Sequence, residues 1–219
     1  MRKKAVIAID GACHGNGKPD CVSAGGIFVK PTTYVANFSA HVVHELNSTS
    51  QRGELRALIE GLKVGLTFHE VHLITDSEYV ANALNKNWLG NWQMKGWVTA
   101  TGSPVKNRDL WEQVIPLFQR QNEIVVYHIK GHVIPFGKVA ARKLLATDPT
   151  GEQLYDEVGH KFELEKTLRV DSLNHAMDVF EKNHGFRPPW YVLRQMIQCN
   201  ITADLVASNY LDRVVSIIK

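Results

Sequence analysis

The sequence predicts an α/β fold, a five-stranded mixed sheet flanked by helices and followed by a mainly helical segment. Three features carry that expectation. Three β-rich, turn-bounded segments follow one another near the N-terminus. Helical and strand periods then alternate, and beyond residue 132 the apolar residues keep a helical period almost throughout. The order β-β-β-α-β-α-α-β implies an antiparallel meander within a mixed sheet, with helices packed on its faces.

Each element has its own signal. Residues 4–12 form an apolar run ending in Asp10-Gly11; residues 24–30 and 33–43 read as the next two strands, separated by Pro31. Over residues 50–67, Leu55, Leu58, Ile59, Leu62 and Leu66 fall on one helical face, with Ser50 as the expected N-cap. Residues 70–76 are a short strand and 77–85 a helix. A further helix spans 107–121, where Pro116 is expected to introduce a kink. Residues 123–132 close the series as the fifth strand. Helices are then predicted over 138–147, 152–168, 172–185 and 190–199, separated by Asp148-Pro149, Asp171 and Pro188-Pro189. A terminal helix from Asn200 carries Ile201, Leu205, Leu211, Val215 and Ile218 on one face.

The composition is that of a globular protein with a sizeable core: 219 residues, 44% hydrophobic and 21% charged. A net charge of +3 is mild, so contact with a polyanion has to come from local clusters. Three cysteines, Cys13, Cys21 and Cys199, lack metal-site spacing and are expected to be free thiols in a reducing compartment. The first apolar run stops at Asp10, too short for a signal peptide, and no later run reaches transmembrane length. A cytoplasmic protein without membrane contact is therefore expected.

Asp10 ends the first predicted strand and Asp76 the fourth. If those strands are neighbours, both carboxylates reach one rim, and Glu54, early in the intervening helix, can point back over it. Ligands of such sheets sit beyond the carboxyl ends of the strands. Oxygen donors without thiols or paired imidazoles suit Mg²⁺ or Mn²⁺. Taken singly, each acid reads first as a cap or a solvated charge.

Their surroundings distinguish them. IDGACHGNG (9–17), TSQRGELRALIEGL (49–62), ITDSEYVANAL (74–84) and KGH (130–132) occur in this order. With the Trp-rich NWLGNWQMKGW and PVKNRDLWEQV segments, they resemble the type 1 ribonuclease H family over roughly residues 5–132 and 200–215. The resemblance implies a ribonuclease H-like fold and hydrolysis of the RNA strand of an RNA–DNA hybrid, leaving 5′-phosphomonoesters. It implies two Mg²⁺ ions, with Mn²⁺ as the alternative, held by Asp10, Glu54, Asp76 and a fourth carboxylate. The family places that acid at the start of the last helix, four residues after an Asn, which here gives Asn200 and Asp204. His132 would assist proton transfer or product departure, a task suited to imidazole.

Substrate contacts are implied likewise. Cys13 (through its backbone), Asn16, Ser50 and Gln51 match positions at the hybrid's sugars, and Thr49 with Ser50 matches a DNA-strand phosphate. Ser50 and Gln51 stand where the family commonly has Asn, and Glu78 where it has Gln. Trp88, Trp92, Lys95 and Lys106 fall in the substrate-binding handle, and Asn200 beside the last acid. Independently, residues 85–108 hold four basic side chains, three tryptophans and no acid, a mixture suited to a sugar-phosphate backbone. The alternative is that Trp88, Trp92 and Trp97 pack the protrusion itself and leave phosphate contact to the lysines. His41, His44, His160, His175 and His184 have no convincing metal partners and read as structural or surface residues.

The chief departure from the family is the length between His132 and Asp204. We divide the chain into a catalytic core, 1–132 and 200–219, and a helical insertion, 133–199. The insertion holds nine basic and nine acidic residues and is neutral. Two roles stay open: a cap guiding the hybrid, with Lys138, Arg142 and Lys143 nearest the site, or a docked lobe outside catalysis. A protein partner is a further use for that surface, and a monomer is expected. The competing readings of the whole chain are a DNA strand-transfer or resolvase enzyme on the same fold, and a non-catalytic nucleic-acid-binding module.

Overall fold

A computed structural model of the protein describes residues 2–16, 18, 20–32 and 37–218. Residues 33–36 of the third predicted strand, and the side chain of Ile218, lie outside the described residues. The meander is β1 (Lys4–His14), β2 (Val22–Pro31) and β3 (Ser39–Leu46), followed by α1 (Ser50–Gly65) and β4 (Glu70–Thr75). Then come α2 (Glu78–Asn85), α3 (Trp88–Met94), α4 (Arg108–Gln119) and β5 (Glu123–His128). The remainder is α5 (Lys138–Thr147), α6 (Glu152–Glu165), α7 (Val170–His184) and α8 (Trp190–Ile218).

The sheet order is β3-β2-β1-β4-β5, with the first three strands antiparallel and β1, β4 and β5 parallel. Alternation along β1 sends Ile7 and Ile9 to one face and Ala8 to the other. The first face is covered by α1 and α4 through Leu55, Leu58, Leu62, Leu110 and Trp111, all essentially buried. Each such side chain contributes about 1.5–3 kcal/mol relative to exposure. On the second face, Ala8, Phe28 and Ile74 share a core with Leu154, Phe162, Phe180, Leu193 and Ile197. The helical segment therefore has no core of its own; it covers the back of the sheet.

Local departures from the sequence reading have physical causes. Thr49, not Ser50, caps α1, its hydroxyl accepting a hydrogen bond from Arg52 N at 3.3 Å. The predicted helix does run through Pro116, as α4. β5 ends at His128, short of the predicted 132, because Ile129 makes the last backbone bond to Thr75 and Lys130-Gly131 turns away. The two helices predicted over 190–199 and from 200 are one helix, α8, since nothing at Cys199-Asn200 breaks the backbone ladder.

The expectation of three free thiols is corrected: Cys13 and Cys21 form a disulfide, and only Cys199 is free and buried. Pairing of His14 with Val22 closes the β1–β2 hairpin and sets Cys21, one residue before β2, beside Cys13. Among the described residues, no helix is long and apolar enough to cross a membrane.

Candidate active site

Parallel register places Ala8 opposite Ile74, so Asp10 and Asp76, each two residues further on, emerge at the same rim. Across β1, Asp10 pairs with Gly26. Gly25-Gly26 lets a helix approach each face of the hairpin: a Cβ on Gly25 would overlap the Gly53 carbonyl of α1, and one on Gly26 the Ala203 carbonyl of α8. That close approach brings Glu54 of α1 and Asp204 of α8 towards Asp10. Gly131 serves the same purpose after β5, because a Cβ there would overlap the Asp76 carboxylate. His132 follows in the left-handed backbone region, φ 53°, and is exposed.

The acids sense one another. Asp10 is 7% exposed, and its Oδ1 accepts a hydrogen bond from Gly11 N at 2.6 Å. Burial pushes its carboxyl well above the usual range, and Asp76, Asp204 and Glu54 push further in the same direction. Burial raises Glu54 to about 7, with Asp76 adding to the shift and the Ser77 hydroxyl opposing it. Asp76 is raised by burial and by Asp204, against the pull of His132 and His128.

Asp10, Asp204, His132 and Asn200 share a cavity of about 260 Å³, and Asn200 Nδ2 donates to Asp10 Oδ2 at 3.5 Å. Among the described residues, no three His, Cys, Asp or Glu side chains stand ready to hold a metal ion without adjustment. The donor set nonetheless fits a hard divalent cation. Asp10 is buried against the repulsion of three neighbouring acids, and Glu54 Oε2 is buried without a hydrogen-bond partner.

Asp148, Asp178 and Asp212 are otherwise engaged. Asn174 and Asp178 repeat the four-residue spacing of Asn200 and Asp204, so spacing alone does not single out Asp204. The structure separates them: Asp178 meets Arg187, whereas Asp204 lines the cavity with Asp10. Asp212 pairs with Arg142 at 3.1 Å, and Asp148 accepts hydrogen bonds from Thr150 N and Gln153 N.

Substrate candidates divide by location. Thr49 and Gln51 are exposed and Ser50 half-buried at the start of α1; Asn16 is exposed beyond β1. Cys13 lies in the β1–β2 ladder and is cross-linked. Glu78 is exposed on the first turn of α2 and accepts a hydrogen bond from Asn82 at 3.3 Å. Trp92 is buried edge-on against Trp111, ring centroids 5.5 Å apart, as the packing alternative expected. Trp111 donates to the Tyr79 hydroxyl at 2.6 Å, which donates to the Lys106 carbonyl at 3.1 Å, tying the handle to α2. Trp88, Trp92 and Lys95 line a groove of about 410 Å³ between α3 and residues 98–101, and the Lys106 side chain is exposed.

Two features escaped the sequence reading. His128 Nε2 lies 3.2 Å from the Asp76 carbonyl, and its Nδ1 lies 2.8 Å from Asn183 Nδ2 of α7. With Asn183 donating to Nδ1, Nε2–H donates to Asp76, so the helical segment braces this acid from behind. His184 of α7 contacts the backbone of His128 and covers the free edge of β5. The other feature is an apolar wall of Ile134, Pro135 and Phe136 beside Asp10. Its signal was present in the sequence, as an apolar run where a catalytic loop should turn polar.

This sheet order, with acids gathered at the rim of β1 and β4, defines the ribonuclease H-like α/β class. The family model for RNase H matches residues 2–140. A ribonuclease H of Thermus thermophilus is 39% identical over 135 residues, covering 60% of this chain and 75% of the relative. Ribonuclease H of Clostridium botulinum strain Hall is 35% identical over 130 residues, 59% of this chain and 85% of the relative. A foamy viral protease-reverse transcriptase, solved in complex with an RNA/DNA hybrid, shares the fold with a TM-score of 0.50. It is 21% identical, over 57% of this chain and 17% of that longer one. The chain belongs to the ribonuclease H family. The family match stops at residue 140, so Asp204 is supported by its position beside Asp10 rather than by that match.

Proposed function

We propose that this protein hydrolyses the RNA strand of RNA–DNA hybrids, using Asp10, Glu54, Asp76 and Asp204 as the ligands of two Mg²⁺ ions, with Mn²⁺ as the alternative. The observation that carries the reading is Asp10, buried at the rim with three further acids raising its carboxyl beyond what burial alone does. An arrangement of this kind is unfavourable until cations neutralise it. Bound there, the ions would supply Lewis-acid stabilisation of the attacking and leaving oxygens of an in-line displacement.

The chain's own groups do the rest. Gly11 N–H fixes one oxygen of Asp10 and Asn200 restrains the other. Glu54 offers an unpartnered oxygen from α1. His132, exposed on a turn beside Asp76, can pick up or deliver a proton as the product leaves. The start of α1, with Thr49, Ser50 and Gln51, and the handle, with Trp88, Lys95 and Lys106, suit the two backbones of the hybrid. We keep the division into a core (1–132 and 200–219) and an insertion (133–199) as part of this reading, with the protein acting as a monomer. The Cys13–Cys21 disulfide removes the free-thiol argument for a reducing compartment, and a cytoplasmic setting requires the pair to be reduced there.

The test is cleavage of end-labelled RNA–DNA hybrid, duplex DNA and single-stranded RNA in Mg²⁺ by the wild type and by Asp10→Asn. Cleavage confined to the hybrid, and lost in the variant, is expected. DNA joining would return the strand-transfer reading, and binding without cleavage the non-catalytic one.

A further inference from the structure

The cavity beside Asp10 has two unlike walls. Asp10, His132 and Asp204 form one, with Asn200, Ile201 and Leu205 of α8 beside them; Ile134, Pro135 and Phe136, from the segment leading into α5, form the other. Ile134 is 3% exposed and sits in the core on the second face of the sheet, and Phe136 is half-buried against that core. Pro135 fixes the backbone between them, and Gly137 caps α5 immediately after. The three residues are thus a stiff ledge anchored at both ends.

An apolar ledge cannot hold a phosphate, which needs cations or N–H donors. What it can hold is the part of a nucleotide without charge. The cavity's 260 Å³ lies below the usual range of ligand pockets, about 300–1,000 Å³, so it suits one sugar with its phosphate better than a run of nucleotides. We propose that Ile134, Pro135 and Phe136 form a subsite for the ribose of the nucleotide adjoining the scissile phosphate, with the sugar's C–H face against the Phe136 ring. The proposal rests on the hydrolysis of hybrids proposed above and adds a specificity-determining residue to it. Phe136 holds the sugar while the acids hold what neutralises the phosphate, so the scissile bond is located from two sides. It also gives the segment beyond His132 a direct part in substrate selection.

Phe136→Ala removes the ring and Phe136→Leu keeps an apolar side chain without its plane. Each is compared with the wild type by steady-state cleavage of end-labelled hybrid and by thermal unfolding. Hybrid affinity is read by fluorescence anisotropy in an Asp10→Asn background, with Phe136 intact or replaced. Phe136→Ala is expected to raise KM and weaken hybrid binding by roughly tenfold, with the loss falling on KM rather than kcat. Phe136→Leu should lie between, and the cleavage positions along the hybrid should redistribute. If Phe136→Ala melts early, Phe136→Leu decides the matter. Unchanged affinity and cleavage pattern in Phe136→Leu and in any folded Phe136→Ala, or a fall in kcat alone, overturns the subsite while leaving hybrid hydrolysis standing. A wild type that does not cut the hybrid overturns both.

Discussion

Replacing Glu54 by Gln should stabilise the metal-free protein while removing a proposed metal ligand. In the fold, burial and Asp76 lift this carboxyl from its ordinary 4.5 to about 7. A raised carboxyl means that the native state binds its proton more tightly than the unfolded chain does. Its contribution to stability is complete below pH 4.5 and is lost as the pH rises through about 7. At about 1.4 kcal/mol per tenfold change, the loss amounts to about 3 kcal/mol at pH 8. Gln carries no charge and avoids it. In urea denaturation with EDTA, Glu54→Gln should therefore match the wild type at pH 4 and gain about 2–3 kcal/mol at pH 8. That gain moves the midpoint by roughly 1 M. Added Mg²⁺ should narrow the gap by stabilising the wild type, and hybrid cleavage by the variant should fall by orders of magnitude. Equal stability at pH 8, or the same gain at both pH values, would refute the reasoning, because neither is compatible with a buried, repelled carboxylate.

Further outcomes follow from other contacts. Gly26→Ala should cost about 1–3 kcal/mol in thermal unfolding and depress hybrid cleavage, because the new methyl drives α8 and Asp204 away from the sheet. Arg52 spans Glu45 at 2.8 Å and Asp109 at 2.7 Å, so Arg52→Ala should lose about 1–2 kcal/mol at pH 7 by chemical denaturation. Arg52 and Arg56 hold Glu45 down to about 2. Stability from that pairing is present above pH 4.5 and drains away as pH falls towards 2, so the Arg52→Ala deficit should shrink in acid. Alkylation of the denatured, unreduced protein should label one thiol, Cys199, with Cys13 and Cys21 labelled only after reduction. Three labelled thiols without reductant would remove the cross-link.

The acids of the site were legible where they sit on local signals. Asp10 and Asp76 close apolar runs that are plain in the sequence, and the β-β-β-α-β order implied the sheet that joins them, although β1 continues past Asp10 to His14 and β4 stops one residue short of Asp76. What faced the back of that sheet was not legible. Amphipathic periodicity says that Leu154, Phe162 and Phe180 need a partner, but not whether the partner is another helix or Phe28 of β2. Asp204 was reached through its place at the start of the expected last helix, yet that helix begins ten residues earlier, at Trp190. The Cys13–Cys21 pair eluded a reading based on metal-site spacing, since only the hairpin register brings the two together. Trp92 shows the converse limit, because composition puts it on a nucleic-acid surface and packing against Trp111 buries most of it.

The continuity of α8 bears on how such an enzyme can be trimmed or recombined. Its 29 residues form a single rod of roughly 43 Å, entering at Trp190 among the helices that share the core on the second face of the sheet and carrying Asn200 and Asp204 further along. Helices transmit position along their length, so no joint at 199/200 lets one part be exchanged without moving the other. A fragment cut at residue 140, the limit of family similarity, would keep three carboxylates and the handle. It would forfeit the fourth acid and uncover Phe28 and Ile74 on the back of the sheet. The portion most like its relatives is therefore not a portable unit, and any graft of this active site has to travel with the rod that completes it.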